Sequence, residues 1–153
     1  MIVSVGRAKS ILFTGLGILF CTTIFGQAKV SVSISNPSSY ETCIPSDYVS
    51  ISIRNITTST LSGVECEVDL PTGTSYLAGS LNGAGITEKN ITNLNKPVFD
   101  LGNIGVASAK TIQIRVSINC DIINFLNNGG FAVISTNTYY PGGSIATTSS
   151  PMR

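Results

Sequence analysis

Val64-Glu65-Cys66-Glu67-Val68-Asp69-Leu70-Pro71-Thr72-Gly73 alternates apolar and acidic residues up to Leu70 and then meets a proline. Period two predicts a strand with Val64, Cys66, Val68 and Leu70 on one face and Glu65, Glu67 and Asp69 on the other. Pro71 has no N–H to give a ladder, so the strand must stop there, and Gly73 supplies the turn. The letters Leu70-Pro71-Thr72-Gly73-Thr74 nearly spell the Leu-Pro-x-Thr-Gly signal that sortases cut. Here, though, the Thr and Gly stand one place too early, and most of a domain follows instead of a hydrophobic stretch and a basic tail. The segment is a corner of a fold.

The same period recurs outward from that corner. "KVSVSIS" places Val30, Val32 and Ile34 on one face, "DYVSISIRN" places Val49, Ile51 and Ile53, and "TIQIRVSIN" places Ile112, Ile114, Val116 and Ile118. "FAVISTNTYY" is rich in β-formers but less regular. Turn clusters such as "SNPSS", "NITTSTLSG", "PTGTS", "NGAG", "NNGG" and "PGG" separate the runs. Such a chain is all-β, an antiparallel β-sandwich. A helical turn is plausible only in "CDIINFLNNGG", where Ile122, Ile123, Phe125 and Leu126 would share a face. "TTSSPMR" predicts no closing strand, which would leave an open sheet edge for strand addition by another domain or chain.

The chain has 153 residues, 42% hydrophobic and 11% charged, with a formal net charge of +1. These values fit one compact domain and give no electrostatic footprint for nucleic acid. Arg7 and Lys9 precede an apolar stretch from Ile11 to Phe25 that closes on Gly26-Gln27-Ala28. That is the layout of a secretory signal peptide, with residues 1–28 removed and residues 29–153 forming the domain. The apolar run is shorter than the ~20 residues of a spanning helix, so no membrane span is expected after cleavage. A short anchor that stays attached is the alternative. Cys21 follows Phe20, where a lipoprotein signal needs a small residue.

Cleavage leaves seven basic residues against eight acidic, with no His and no Trp. Without His, neither a Ser-His-Asp nor a Cys-His nucleophile system can be assembled, and the commonest general base and metal ligand is missing. An enzyme is not expected, and neither is any cofactor. Carboxylate-only glycoside chemistry on Glu65, Glu67 and Asp69 ranks last, because acids at spacing two are what a solvated strand face shows. Calcium is disfavoured too: same-face neighbours lie ~7 Å apart and there is no Asp-rich loop.

Leu70-Pro71, Gly73, Tyr76, Gly79-Ser80, Phe99, Leu101-Gly102 and the run from Ile112 to Ile118 follow one another in an order with a counterpart elsewhere. From Leu70 to Gly130 the chain resembles the conserved-repeat domain of unknown function found in very large bacterial surface proteins, in the variety common among gliding bacteria and their relatives. "ISIRNITTSTLSGVECEVD" fits the hairpin that precedes it. The resemblance implies an immunoglobulin-like β-sandwich acting as a spacer or adhesion module, with Leu70, Pro71, Gly73, Gly79 and Ser80 as structural turn positions and no catalytic residues. It implies a secreted or cell-surface location, and as partners other immunoglobulin-like modules of the same surface protein or a surface or matrix ligand. Those larger relatives carry a C-terminal sorting domain, which is not recognisable after "SIATTSSPMR"; a truncation at that end stays open.

Cys43, Cys66 and Cys120 remain after cleavage. Counting strands up and down the sandwich brings Cys43 and Cys120 to the same end, predicting a disulfide between them, while Cys66 sits mid-strand as a buried free thiol. The alternative is that all three are reduced. Asn55-Ile56-Thr57 and Asn90-Ile91-Thr92 match the Asn-x-Thr acceptor pattern but are taken as turn residues, since a bacterial source makes that modification uncommon. Tyr139 and Tyr140 before "PGG" offer rings to a sugar, which keeps a carbohydrate-binding accessory domain of a polysaccharide-degrading system as the alternative function; the absence of Trp weighs against it.

Overall fold

The computed structural model describes residues 29–37, 43, 45–119, 132–141 and 146–152. Among these lie nine strands and no helix: β1 (Val30–Ser35), β2 (Pro45–Asn55), β3 (Leu61–Asp69), β4 (Thr74–Tyr76), β5 (Thr87–Asn90), β6 (Val98–Ile104), β7 (Ala109–Ile118), β8 (Val133–Tyr139) and β9 (Ala146–Pro151). They form a four-stranded sheet, β1-β2-β7-β4, and a five-stranded sheet, β5-β6-β3-β8-β9. Every pairing is antiparallel. With β2 and β7 joined in one sheet and β3, β8 and β9 in the other, the architecture is an immunoglobulin-like β-sandwich.

Alternation decides which side chains meet between the sheets. Val49 pairs with Ile114 and Ile51 with Ile112 in the β2–β7 ladder, and all four are fully buried. From the other sheet Val64, Cys66, Val68, Phe99, Leu101 and Ile134 join the same core. Each fully buried Val, Leu, Ile or Phe contributes about 1.5–3 kcal/mol of transfer free energy. The Tyr76 and Phe99 rings meet edge to face, 5.4 Å between centroids at 89°, linking β4 of one sheet to β6 of the other.

The ladder of β3 ends at Asp69, ahead of Pro71, as the alternation predicts. Its start lies further back than that pattern reaches. Gly63 adopts φ 59° at a register shift between Leu61 and Val64, a bulge that only a residue without Cβ enters readily.

The C-terminal segment corrects the expectation of no closing strand. β9 pairs with β8 from Val133–Pro151 to Thr138–Ala146. Thr147, Thr148, Ser149 and Ser150 carry no apolar alternation, yet a ladder is made by backbone N–H and C=O groups, which these residues supply as well as any. The Asn36 side-chain amide then donates to Ser150 Oγ at 3.0 Å and to the Pro151 carbonyl at 2.7 Å, tying the end of β1 to the end of β9.

That tie fixes the course of the chain. At the start of β1 the Lys29 N–H donates to the Tyr140 hydroxyl at 3.2 Å, and Val30 lies opposite Asn55. At the far end of β1, Asn36 meets Pro151, and the Met152 N–H donates to the Ala132 carbonyl at 2.9 Å. β1 and β9 therefore run the same way on the two sheets, with Lys29 at one pole and Met152 at the other. The expected helical turn at residues 120–130 lies outside the described residues.

Candidate functional site

The corner from Leu70 to Ser80 is stitched to the sandwich at each motif position. Leu70 is buried and its N–H donates to the Asn95 carbonyl at 2.8 Å. Thr74 closes the turn, both its N–H (3.1 Å) and its Oγ1 (2.7 Å) donating to the Pro71 carbonyl, while Gly73 takes φ 83°. Gly79 takes φ 79°, the Ser80 N–H reaches the Leu77 carbonyl at 3.0 Å, and Ser80 Oγ accepts the Arg115 N–H at 2.9 Å. These residues do the work of turns and of register with β7.

Tyr76 and Glu88 form a node that alternation does not reveal. The Tyr76 hydroxyl donates to the Glu88 carboxylate and accepts the Leu81 N–H at 3.1 Å. The same carboxylate oxygen accepts the Gly79 N–H at 3.1 Å. Burial, then the bond to Glu88 and its negative charge, push the Tyr76 phenol up to about 12. Tyr76 was visible as an aromatic motif position, whereas Glu88 sits in the polar strand β5 and carries no sequence signal.

The acids of β3 line the outer face of the five-stranded sheet. Glu65 pairs with Lys89, Asp69 with Lys96 at 3.1 Å, and Glu67 accepts the Asn137 amide at 3.2 Å. Thr147 Oγ1 donates to Asn137 Oδ1 at 3.1 Å, so a hydrogen-bonded row crosses β9, β8 and β3. Partly exposed pairs of this kind hold a face in register and contribute little to stability. No group of metal-ligating side chains is present among the described residues.

Tyr139 and Tyr140 point to opposite sides, as neighbours at a strand end must. Tyr139 is 37% exposed on the outer face opposite Glu65, whereas Tyr140 is 6% exposed, with the Lys29 ammonium 5.7 Å from its ring centroid. They do not make a paired platform.

Cys66 is a free thiol with no exposed surface, and burial pushes it up to about 12. Cys43 is disulfide-bonded. Its N–H donates to the Ile118 carbonyl at 2.9 Å, at the end of β7, and its φ is 67°. Cys120 lies outside the described residues.

At the entry pole Asn55 is fully buried. Its amide donates to the carbonyls of Ser59 (2.8 Å), Ile104 (3.0 Å) and Gly105 (3.0 Å), while its Oδ1 accepts from Thr57 N–H (2.9 Å) and Oγ1 (2.8 Å). Beside it lies an open cleft of about 380 Å³ lined by Ser31, Arg54, Asn55, Ile56, Thr57 and Ala107. Ile56 and Val106 are 55% and 50% exposed at this pole.

No family model and no curated protein sequence matches the chain. Among solved structures it is similar to the collagen-binding subdomain of the Enterococcus faecalis surface protein ACE, with 7% identity, a TM-score of 0.48 and coverage of 81% of this chain and 94% of that one. It is similar as well to a cohesin module from a Clostridium perfringens family 33 glycoside hydrolase, with 9% identity, a TM-score of 0.47 and coverage of 83% and 97%. A DUF4466 family protein from Parabacteroides merdae aligns at 13% identity and a TM-score of 0.49, over 82% of this chain and 45% of that one.

Proposed function

We propose that this chain is a non-catalytic secreted or cell-surface module, a spacer or adhesive domain of a surface protein. The observation that carries the reading is the placement of Lys29 and Met152 at opposite poles, tied there by the Lys29–Tyr140 and Asn36–Pro151 bonds. With residues 1–28 removed, Lys29 begins the domain at one pole and Met152 leaves it at the other, so a following module is reached without folding the chain back. Its partners are then other immunoglobulin-like modules of the same surface protein, or a surface or matrix ligand.

Support also comes from the motif shared with the conserved-repeat domain of bacterial surface proteins. Gly73, Gly79, Ser80, Tyr76 and Phe99 each hold a turn or a core contact, which is the role that resemblance assigns them. The segment 1–28 is a secretory leader in this reading. Cys43 pairs with Cys120, because Cys66 is free and the Cys43 N–H is bonded to Ile118, two residues before Cys120.

The test is the intact mass of the native secreted product, with free thiols labelled before and after reduction. Reagent uptake by Cys66 alone in the unfolded, unreduced chain, together with affinity for cells or matrix without turnover, is the expected result. Product formation from a glycan that is abolished by Glu67→Gln would overturn it.

The exposed ring of Tyr139 on the face that carries Glu67 and Asn137 favours the second reading, a carbohydrate-binding accessory domain. That reading requires saturable glycan binding that disappears in Tyr139→Ala.

A further inference from the structure

The chain contains the tripeptide Asn-Ile-Thr twice, and the fold treats the two copies in opposite ways. Both have the same local shape, with the Asn Oδ1 accepting the N–H and the Oγ1 of the Thr two residues on. At Asn90 these bonds are 3.1 and 2.7 Å; at Asn55 they are 2.9 and 2.8 Å. The difference lies in the amide nitrogen. Asn55 Nδ2 is fully buried and engaged by three carbonyls, so no reagent reaches it without dismantling the turn from Asn55 to Ser59 and the end of β6. Asn90 and Thr92 are exposed, Ile91 packs against the core and holds the tripeptide in place, and Asn90 Nδ2 has no partner among the described residues.

The geometry points to Asn90 as an N-glycan acceptor on this chain, with Asn55 excluded. In the transfer, Asn90 Nδ2 attacks the anomeric carbon of a lipid pyrophosphate-linked oligosaccharide. The N–C bond forms, the bond from that carbon to the pyrophosphate oxygen breaks, the lipid pyrophosphate leaves with the electron pair, and the amide gives up one proton. The thiol and carboxylate chemistry of the chain takes no part. Asn90 closes β5, the outermost strand of the five-stranded sheet, where it pairs with Val98. A bulky hydrated oligosaccharide there covers an edge whose unpaired N–H and C=O groups otherwise invite another strand.

The test uses the folded full chain as acceptor, with a single-subunit oligosaccharyltransferase that accepts Asn-x-Thr and its lipid-linked oligosaccharide. Synthetic peptides spanning residues 52–60 and 87–95 serve as controls, and both are expected to take up the oligosaccharide. The folded chain is expected to gain the mass of one oligosaccharide, mapped to Asn90 and lost in Thr92→Ala. Modification of Asn55 in the folded chain, or of neither asparagine while both peptides react, would overturn the assignment.

Discussion

The phenol of Tyr76 donates to the carboxylate of Glu88, bridging β4 at the edge of one sheet to β5 at the edge of the other. Asn36 and Pro151 make the corresponding tie on the opposite side of the sandwich. Neither pair belongs to a ladder, and between them they close both seams of an otherwise open two-layer fold.

Tyr76→Phe keeps the edge-to-face contact with Phe99 and removes the hydroxyl. It is expected to lower stability by about 2 kcal/mol, the range for a hydrogen bond to a charged group, read as a lower urea midpoint at unchanged slope. The folded chain holds the Tyr76 proton more tightly than the unfolded chain, whose phenol titrates at its ordinary value of 10. This stability is therefore intact below pH 10 and is lost as pH rises through about 12. An alkaline stability curve of the variant as steep as that of the parent would count against the assignment.

Cys66 should be silent to thiol reagents in the native chain. Only the thiolate reacts, and burial holds this thiol protonated up to about pH 12 while also blocking access. Labelling at pH 8 is expected to follow opening of the β3 ladder and to become immediate in denaturant. Rapid labelling without denaturant would contradict a closed core at β3.

Thr136 is buried opposite Val68, and its hydroxyl finds no hydrogen-bond partner among the described residues. Thr136→Val keeps the shape and removes an unpaired polar group, so a gain of about 1 kcal/mol is expected. Thermal unfolding decides the sign.

Asn55→Ala leaves the Ser59, Ile104 and Gly105 carbonyls without their shared donor. The expected cost is about 2–4 kcal/mol, among the larger single-site losses. Asn90→Ala, at the same tripeptide in an exposed position, should stay within about 0.5 kcal/mol. Equal costs at the two sites would show that burial does not distinguish them.

Four strands announced themselves by apolar alternation, because β1, β2, β3 and β7 each turn an apolar face inward and a polar face out. β8 was blurred for a reason now visible: its inward positions are Ile134, Thr136 and Thr138, two of the three polar by residue type though buried in the fold. β5, reading Thr87-Glu88-Lys89-Asn90, and β9, reading Ala146-Thr147-Thr148-Ser149-Ser150-Pro151, have no apolar face at all. Their ladders are backbone bonds to β6 and β8, which composition cannot signal.

Pattern and punctuation thus determined the fold class and the stop of β3 at Pro71, because both follow from one residue's own chemistry and its neighbours within a strand. They also ruled out any chemistry that needs histidine. Tertiary structure alone decided which copy of Asn-Ile-Thr is sealed, where Glu88 finds its phenol, how Tyr139 and Tyr140 part, and at which poles the chain enters and leaves. Each of these depends on contacts between segments far apart in sequence, and burial and hydrogen-bond satisfaction have no value until those segments meet.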